Sequence, residues 1–319
     1  MFQNNRGESR LEKRKKNYFF EDMPVLGKLP LEERAKKFEE VGDVETAEEI
    51  RKQIRMRSKG KGLFGREERP CEDTSHAFGF IPEIEYEKED LLPIKHAGII
   101  KPDFSLKNKR VKITLNALGA ADYPGKGMHR VLFDFYAKNQ LPKKQVEELH
   151  FNQTYRVKEG QTAGIINYPI FIGLNVGLNG LDFKCYTINV KNDDDERILN
   201  FLDSEVFQTG LTLAKTAQPA IGTLADLAVG VTKMVANRNK NVPVQDIYMG
   251  LDFTKNPTGA RLAQGTYVAV QIPQKEELAW DWKNWVFDPT RGFVVKKDDN
   301  KKLIPYNYVM IGVSKYEEN

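Results

Sequence analysis

The chain is poor in the residues that usually announce a chemistry. Two cysteines, Cys71 and Cys185, stand far apart with no partners at metal spacing. A secreted fold held by disulfides usually carries more, so a reducing cytoplasm is the expected setting. Four scattered histidines, His76, His96, His129 and His150, argue against a zinc site. No run of 18 apolar residues occurs; the nearest, 217–236, is broken by Asp226 and Lys233, and no membrane span is expected. The opening residues MFQNNRGESRLEKRKKNYFF have neither an apolar stretch nor a small-residue cleavage site, so no secretory signal is expected. Net charge is scarce as well, +4 on 319 residues, which is little for a polyelectrolyte binder.

That charge is unevenly placed. Residues 1–70 hold 18 basic and 14 acidic side chains, whereas 71–319 hold 31 of each and cancel. The excess peaks at 51–69, with eight basic residues to two acidic, and the run 83–90 (EIEYEKED) then reverses the sign. Alternating charge blocks punctuated by Pro70, Pro82, Pro93 and Pro102 read as a linker, with the folded core starting near Lys107. Three parts are therefore expected: a basic helical docking arm (1–70), a linker (71–106) and a β-sandwich domain (107–319).

Within the arm, 31–54 is rich in strong helix formers, and Val41-Gly42-Asp43 divides it into two short antiparallel helices. Leu31, Ala35 and Phe38, then Val44, Ala47, Ile50 and Ile54, recur at three and four residues, so each helix has one apolar stripe. So small a hairpin cannot bury its stripe alone and must dock on something. Asp43-Val44-Glu45-Thr46-Ala47-Glu48-Glu49-Ile50-Arg51-Lys52-Gln53-Ile54 resembles the UVR motif, a helical hairpin of nucleotide-excision-repair proteins and some protease adaptors. The resemblance covers about 25 residues and implies protein–protein docking.

Beyond Lys107 the period becomes two. Val111, Ile113 and Leu115 alternate with polar residues, as do Val131, Phe133 and Phe135, then Phe151, Tyr155 and Val157. Runs at 168–177 and 181–190 flank Asn179-Gly180, a strong hairpin signal. Further strands are expected at 247–253, 268–272, 293–295 and 304–313. At about 207–238 alternation gives way to an inserted amphipathic helix, with Ile221, Leu224, Leu227, Ala228, Val231, Met234 and Val235 on one side. The expected fold is mainly β, an antiparallel sandwich. A sandwich of this size with a crossing helix resembles an enlarged C2-type domain. Calcium-binding C2 domains cluster aspartates in loops at one end; this chain offers Asp193-Asp194-Asp195-Glu196 and Asp298-Asp299 without the spaced pattern.

Chemistry-bearing motifs are incomplete. Gly60-Lys61-Gly62-Leu63-Phe64-Gly65 fits G-x-G-x-x-G but lacks the preceding strand and following helix that cradle a pyrophosphate, and reads as linker. The stretch 119–127 approaches a P-loop, yet is one residue too long, has Gly127 where Ser or Thr should stand and runs into a strand. Cys185 shares a strand face with Leu181 and Phe183, a packing position rather than a nucleophile's. Asp193, Asp194, Asp195, Asp298 and Asp299 are the candidate calcium ligands, beside a plainer role for the first run as the cap of a short helix at 197–202. Trp280, Trp282 and Trp285 are all the tryptophans and fall within six residues, with Trp280 and Trp282 on one face, as core beside the inserted helix or as an exposed platform. No cofactor is expected. The sequence leads to a non-enzymatic cytoplasmic interaction protein whose partner, another protein, meets Arg51, Lys52, Arg55, Arg57, Lys59, Lys61 and the tryptophans. A lipid or membrane surface is the alternative, through the sandwich loops, the tryptophans or the inserted helix, and nucleic acid stands behind both.

Overall fold

The computed structural model describes residues 23–59, 66–83, 91–195, 205–216, 218–254 and 259–318, together with Leu199 and Leu202. The expected helical hairpin forms as α1 (Leu31–Glu40) and α2 (Val44–Ser58), broken at Gly42, whose φ of 80° favours glycine. The long strands are β1 (Ser75–Pro82), β2 (Arg110–Ala120), β3 (Met128–Gln140), β4 (Val146–Lys158), β5 (Tyr168–Asn175) and β6 (Gly180–Val190). After a short α3 (Glu205–Thr209) and the long α4 (Pro219–Ala236) come β7 (Asn241–Asp252), β8 (Gly265–Ile272), β9 (Trp285–Asp288), β10 (Phe293–Lys296), β11 (Asp299–Leu303) and β12 (Tyr308–Lys315).

These strands build three sheets. The large sheet runs β5-β2-β12-β8-β1, extended by Leu211–Thr212 beside β5 and Lys95–His96 beside β1. The second sheet runs β7-β6-β3-β4, with Ala260–Arg261 on its outer edge, and a small sheet runs β11-β10-β9 to Leu92–Pro93. Pairing is antiparallel except at Leu211–Thr212 and Ala260–Arg261. Phe135 of β3 meets Phe171 of β5 at 5.8 Å between ring centres, and one apolar core joins both large layers. The chain is thus mainly β with several mostly antiparallel sheets, an arrangement consistent with a β-sandwich.

The second sheet is covered on its other face too. Asp246, Tyr186, Asp134 and Asn152 stand opposite one another across β7, β6, β3 and β4, so they form one row on the face turned away from the Phe133 and Phe135 side. At one end of this row the Tyr186 hydroxyl donates to the Met23 carbonyl and Lys28 pairs with Asp246 at 2.7 Å. At the other, Asn152 Nδ2 donates to the Ala228 carbonyl at 3.2 Å and contacts the Thr232 hydroxyl, both on α4. Double cover explains why β3 is buried without a break from Val131 to Phe135, while burial alternates toward its two ends.

Four expectations need correction. The stretch 71–106, expected as linker, contains β1, which pairs along its whole length with β8, so the folded sheet begins well before Lys107. Its alternation is interrupted because the Trp282 ring and Ile94 lie over Gly79, where a Cβ would come within 2.9 Å of the indole and 2.5 Å of Ile94. The Asn179-Gly180 turn joins β5 of the large sheet to β6 of the second, so it is a corner between layers and not a hairpin. Gly180 has φ 116° and lies against the Leu251 carbonyl of β7, too close for any side chain. The inserted segment is split, with Leu211–Thr212 pairing into the large sheet before α4 begins. The run 304–313 is likewise not one strand: β12 begins at Tyr308, and β11 precedes it.

Candidate partner surface on the helical hairpin

The hairpin finds its docking site on its own chain. Ala35, Phe38, Ala47 and Ile50 are fully buried, as are Met23, Val25 and Leu26 just before α1, and all belong to the main core. Polar anchors surround this contact. Arg34, itself buried, pairs with Glu72 at 3.2 Å and Glu68 at 3.0 Å and donates to the Gly27 carbonyl at 2.7 Å. Lys37 donates to the Asn241 carbonyl at 3.1 Å.

Arg69 is the strongest of these anchors. It bonds Asp43 at the start of α2 and Asp122 in the β2–β3 corner, donates to Thr46 at 3.2 Å, and lies over the Phe38 ring at 5.3 Å. Burial opposes its charge, but the bonds to Asp122 and Asp43 outweigh that and raise its pKa. Burial likewise works against the Asp43 carboxylate, and the bonds from Arg69 and Thr46 overcome it, holding Asp43 below its ordinary value. Asp43 thus serves Arg69 rather than capping α2 with its side chain.

The eight cations of 51–69 therefore divide. Arg51 pairs with Glu39, Arg66 with Glu72, and Arg69 with its two aspartates. Lys61 and the glycines at 60–65 lie outside the described residues, as do the acidic residues 84–90. Lys52, Arg55, Arg57 and Lys59 remain, exposed on the outer end of α2 and just past it, with no ion pair among the described residues. Lys52, Arg55 and Lys59 recur at three and four residues and so share one side of the helix. Their position near the helix C-terminus also complements its dipole.

The other predicted sites are placed differently. Trp282 is 4% exposed, while Trp280 and Trp285 are half-buried, stacked on each other at 5.9 Å with Tyr306 at their edge. Trp282 opens a turn rather than a strand, and the cluster packs against β1 and the small sheet, not against α4. Asp193 and Asp194 are exposed, whereas Asp195 is buried, paired with Arg238 at 3.0 Å and bonded by Asn241 Nδ2. That same amide donates to the Val235 carbonyl, so the acidic run secures the C-terminal end of α4. The short helix it was expected to cap falls largely outside the described residues. Asp298 pairs with Lys296, and Asp299 accepts from its own hairpin at Lys301. The structure does not bring the two runs together, and among the described residues no three His, Cys, Asp or Glu side chains converge as a metal site.

The P-loop-like stretch is a corner between the two large sheets. Asp122 is held by Arg69 and by the Cys71 amide, and Tyr123 is fully buried, bonded to Thr187 at 3.0 Å and Gln245 at 3.0 Å. Cys185 faces the core, and burial pushes its thiol well up, as it does for Cys71. Sequence reasoning missed the anchors Arg34, Arg69 and Asp122. Arg69 and Asp122 lie 53 positions apart, and no periodicity links them. Comparison of the chain with protein-family models, curated proteins and solved structures finds no match.

Proposed function

We propose that this is a non-enzymatic interaction protein, in which a C2-like, mainly β scaffold holds a UVR-like hairpin whose outer end engages an acidic segment of another protein. One observation carries this reading: Lys52, Arg55 and Lys59 form an exposed cationic ridge without ion pairs among the described residues, with Arg57 exposed on another side of the helix, while Arg51, Arg66 and Arg69 around them are paired. Apart from Val44, which is exposed, the apolar stripe of the hairpin is used internally, so what its outer end offers a partner is charge. The scaffold fixes the ridge through Arg69 and Arg34, which limits the ordering cost of binding.

Fluorescence anisotropy with a labelled Glu/Asp-rich peptide tests the reading. The full chain should bind with an affinity that falls as salt rises, and Lys52→Glu combined with Arg55→Glu and Lys59→Glu should abolish binding with the fold intact. Equal binding by the triple variant, or preference for single-stranded RNA over the peptide, would overturn it.

A second reading has one supporting observation. Among the described residues α4 is long and apolar enough to cross a membrane by length and composition, and less than half of it is buried. Leu227 and Met234 are exposed on it. Flotation of the full chain with phosphatidylserine vesicles, lost on Leu227→Glu and Met234→Glu, would favour lipid contact over the hairpin.

A further inference from the structure

A groove of about 820 Å³ lies between the large sheet and the small one, inside the roughly 300–1,000 Å³ common for ligand sites. Its floor is the outer face of β2, β12 and β8. Part of that face is apolar and covered, with Val268 and Met310 buried under the small sheet's cluster. Farther along the same strands the character changes, and Lys112, Thr114, Asn116, Thr266 and Ser314 line an open trough. Such a switch on one sheet face is not required by folding, because the small sheet could have continued as cover.

The trough has an ordered polar ladder. The Thr114 hydroxyl donates to Asn116 Oδ1 at 2.7 Å, and Asn116 Nδ2 donates to Thr266 Oγ1 at 2.9 Å. Thr114 and Thr266 both stand opposite Gly312 of the intervening β12, so the amide reaches across a strand that presents no side chain there. A Cβ on Gly312 would lie 2.3 Å from Thr114 Oγ1 and 2.8 Å from Asn116 Nδ2. Glycine thus keeps the floor flat and the amide oriented. Asn116 retains a second N–H and a second lone pair, and the Thr266 hydroxyl retains its proton to donate.

The walls supply the complement. Phe287 and Phe293 of the small sheet, both half-buried, line one side, and Ile166, 89% exposed, stands in the loop that lines the groove elsewhere. Among the described lining residues charge is nearly balanced. The Arg291 guanidinium is committed to Asp288 at 2.6 Å and to the Asn300 carbonyl, while Lys112 is offset by Glu83 at the lining. Neutral donors and acceptors on a flat floor, beside aromatic surface, match a ligand with many hydroxyls and an apolar C–H face.

We infer that this groove is a binding site for a neutral saccharide, with its hydroxyls on the Thr114–Asn116–Thr266 ladder and a ring face against Phe287 or Phe293. The site is separate from the cationic ridge of α2. Calorimetric titration of the full chain with cellotetraose, maltotetraose, chitotetraose and mannotetraose, each to millimolar concentration, tests it. At least one should bind, Asn116→Ala should weaken that binding about tenfold, and Gly312→Val should abolish it. Melting temperatures identify a variant that misfolds, and if Gly312→Val does, Asn116→Ala decides. Lys52→Glu should leave sugar binding unchanged, so a failure of the ridge and a failure of the groove are read separately. Absence of binding by all four sugars, binding indifferent to Asn116→Ala, or tighter binding of inorganic phosphate at the groove would overturn the inference.

Discussion

Two helical elements share the outward face of the second sheet, and they are held to it by different physics. The hairpin end adds charge to the packing of its buried Phe38, Ala47 and Ile50: Lys28 on Asp246, Arg34 on Glu72, Arg69 on Asp43 and Asp122. The α4 end is held by Ala228, Val231 and Val235 packed beneath it, with the neutral Asn152 amide between helix and sheet. Packing of the second kind depends on area removed from water. Anchoring of the first kind depends on pairs that are costly to break one partner at a time. The difference shows why the hairpin, although small, can hold its outer end at a fixed position.

The comparison is broken most severely by deletion. A chain starting at Lys107 loses the hairpin, its anchors and β1, and should be recovered unfolded or aggregated, as judged by circular dichroism and size exclusion; a soluble, cooperatively melting product would show that β1 and the hairpin are dispensable. Next in size, Arg69→Ala leaves Asp43 and Asp122 without their cation and should cost about 3 kcal/mol in chemical denaturation. Native-state hydrogen exchange should then show α1 and α2 opening while α4 stays protected. On the other side, Asn152→Ala removes the bond to Ala228 and the Thr232 contact, for a loss of about 1–2 kcal/mol. Its melting transition should change little with salt, unlike that of an anchor variant.

A further expected effect is pH-dependent and belongs to the hairpin side. Burial, then the nearby Glu68, Glu72 and Glu276 carboxylates, push Asp73 up to about 7, against some relief from Lys275. The folded state therefore holds this proton more tightly than the unfolded one, and the Asp73 contribution is lost as pH rises from about 4 to about 7. Asp73→Asn should raise the melting temperature more at pH 8 than at pH 4, and an equal gain at both would show that Asp73 does not titrate in this window.

Legibility in the sequence followed the range of the interactions. The hairpin break at Val41-Gly42-Asp43 and the strand cores from Val111 to Val157 are local patterns and were readable; the stripe on α4 was readable only in part, because Leu227 and Met234 are exposed while Ala225 and Thr232 are buried. β1 was not, because Gly79 under Trp282 and the covered neighbours Phe80 and Ile81 erase the alternation that marks a strand. Asn179-Gly180 carried the local chemistry of a turn but no information on which layers it joins. The basic excess at 51–69 was visible as composition, yet its division into paired and unpaired cations depends on Glu39, Glu72, Asp43 and Asp122, partners that only the fold brings near. The groove was unreadable for the same reason: Asn116 and Thr266 are 150 positions apart.

The place of β12 has a consequence for synthesis on the ribosome. This strand, Tyr308–Lys315, lies between β2 and β8, so neither neighbour can complete its ladder until the residues of β12 have been made. Until then β2 and β8 each present an unpaired edge, and both carry valine, isoleucine or leucine along it. From the making of β2 until that of β12 the nascent chain therefore has its largest sheet open. Closure waits for a strand made after both of its neighbours, a topology that leaves sheet edges open during synthesis whatever the final stability.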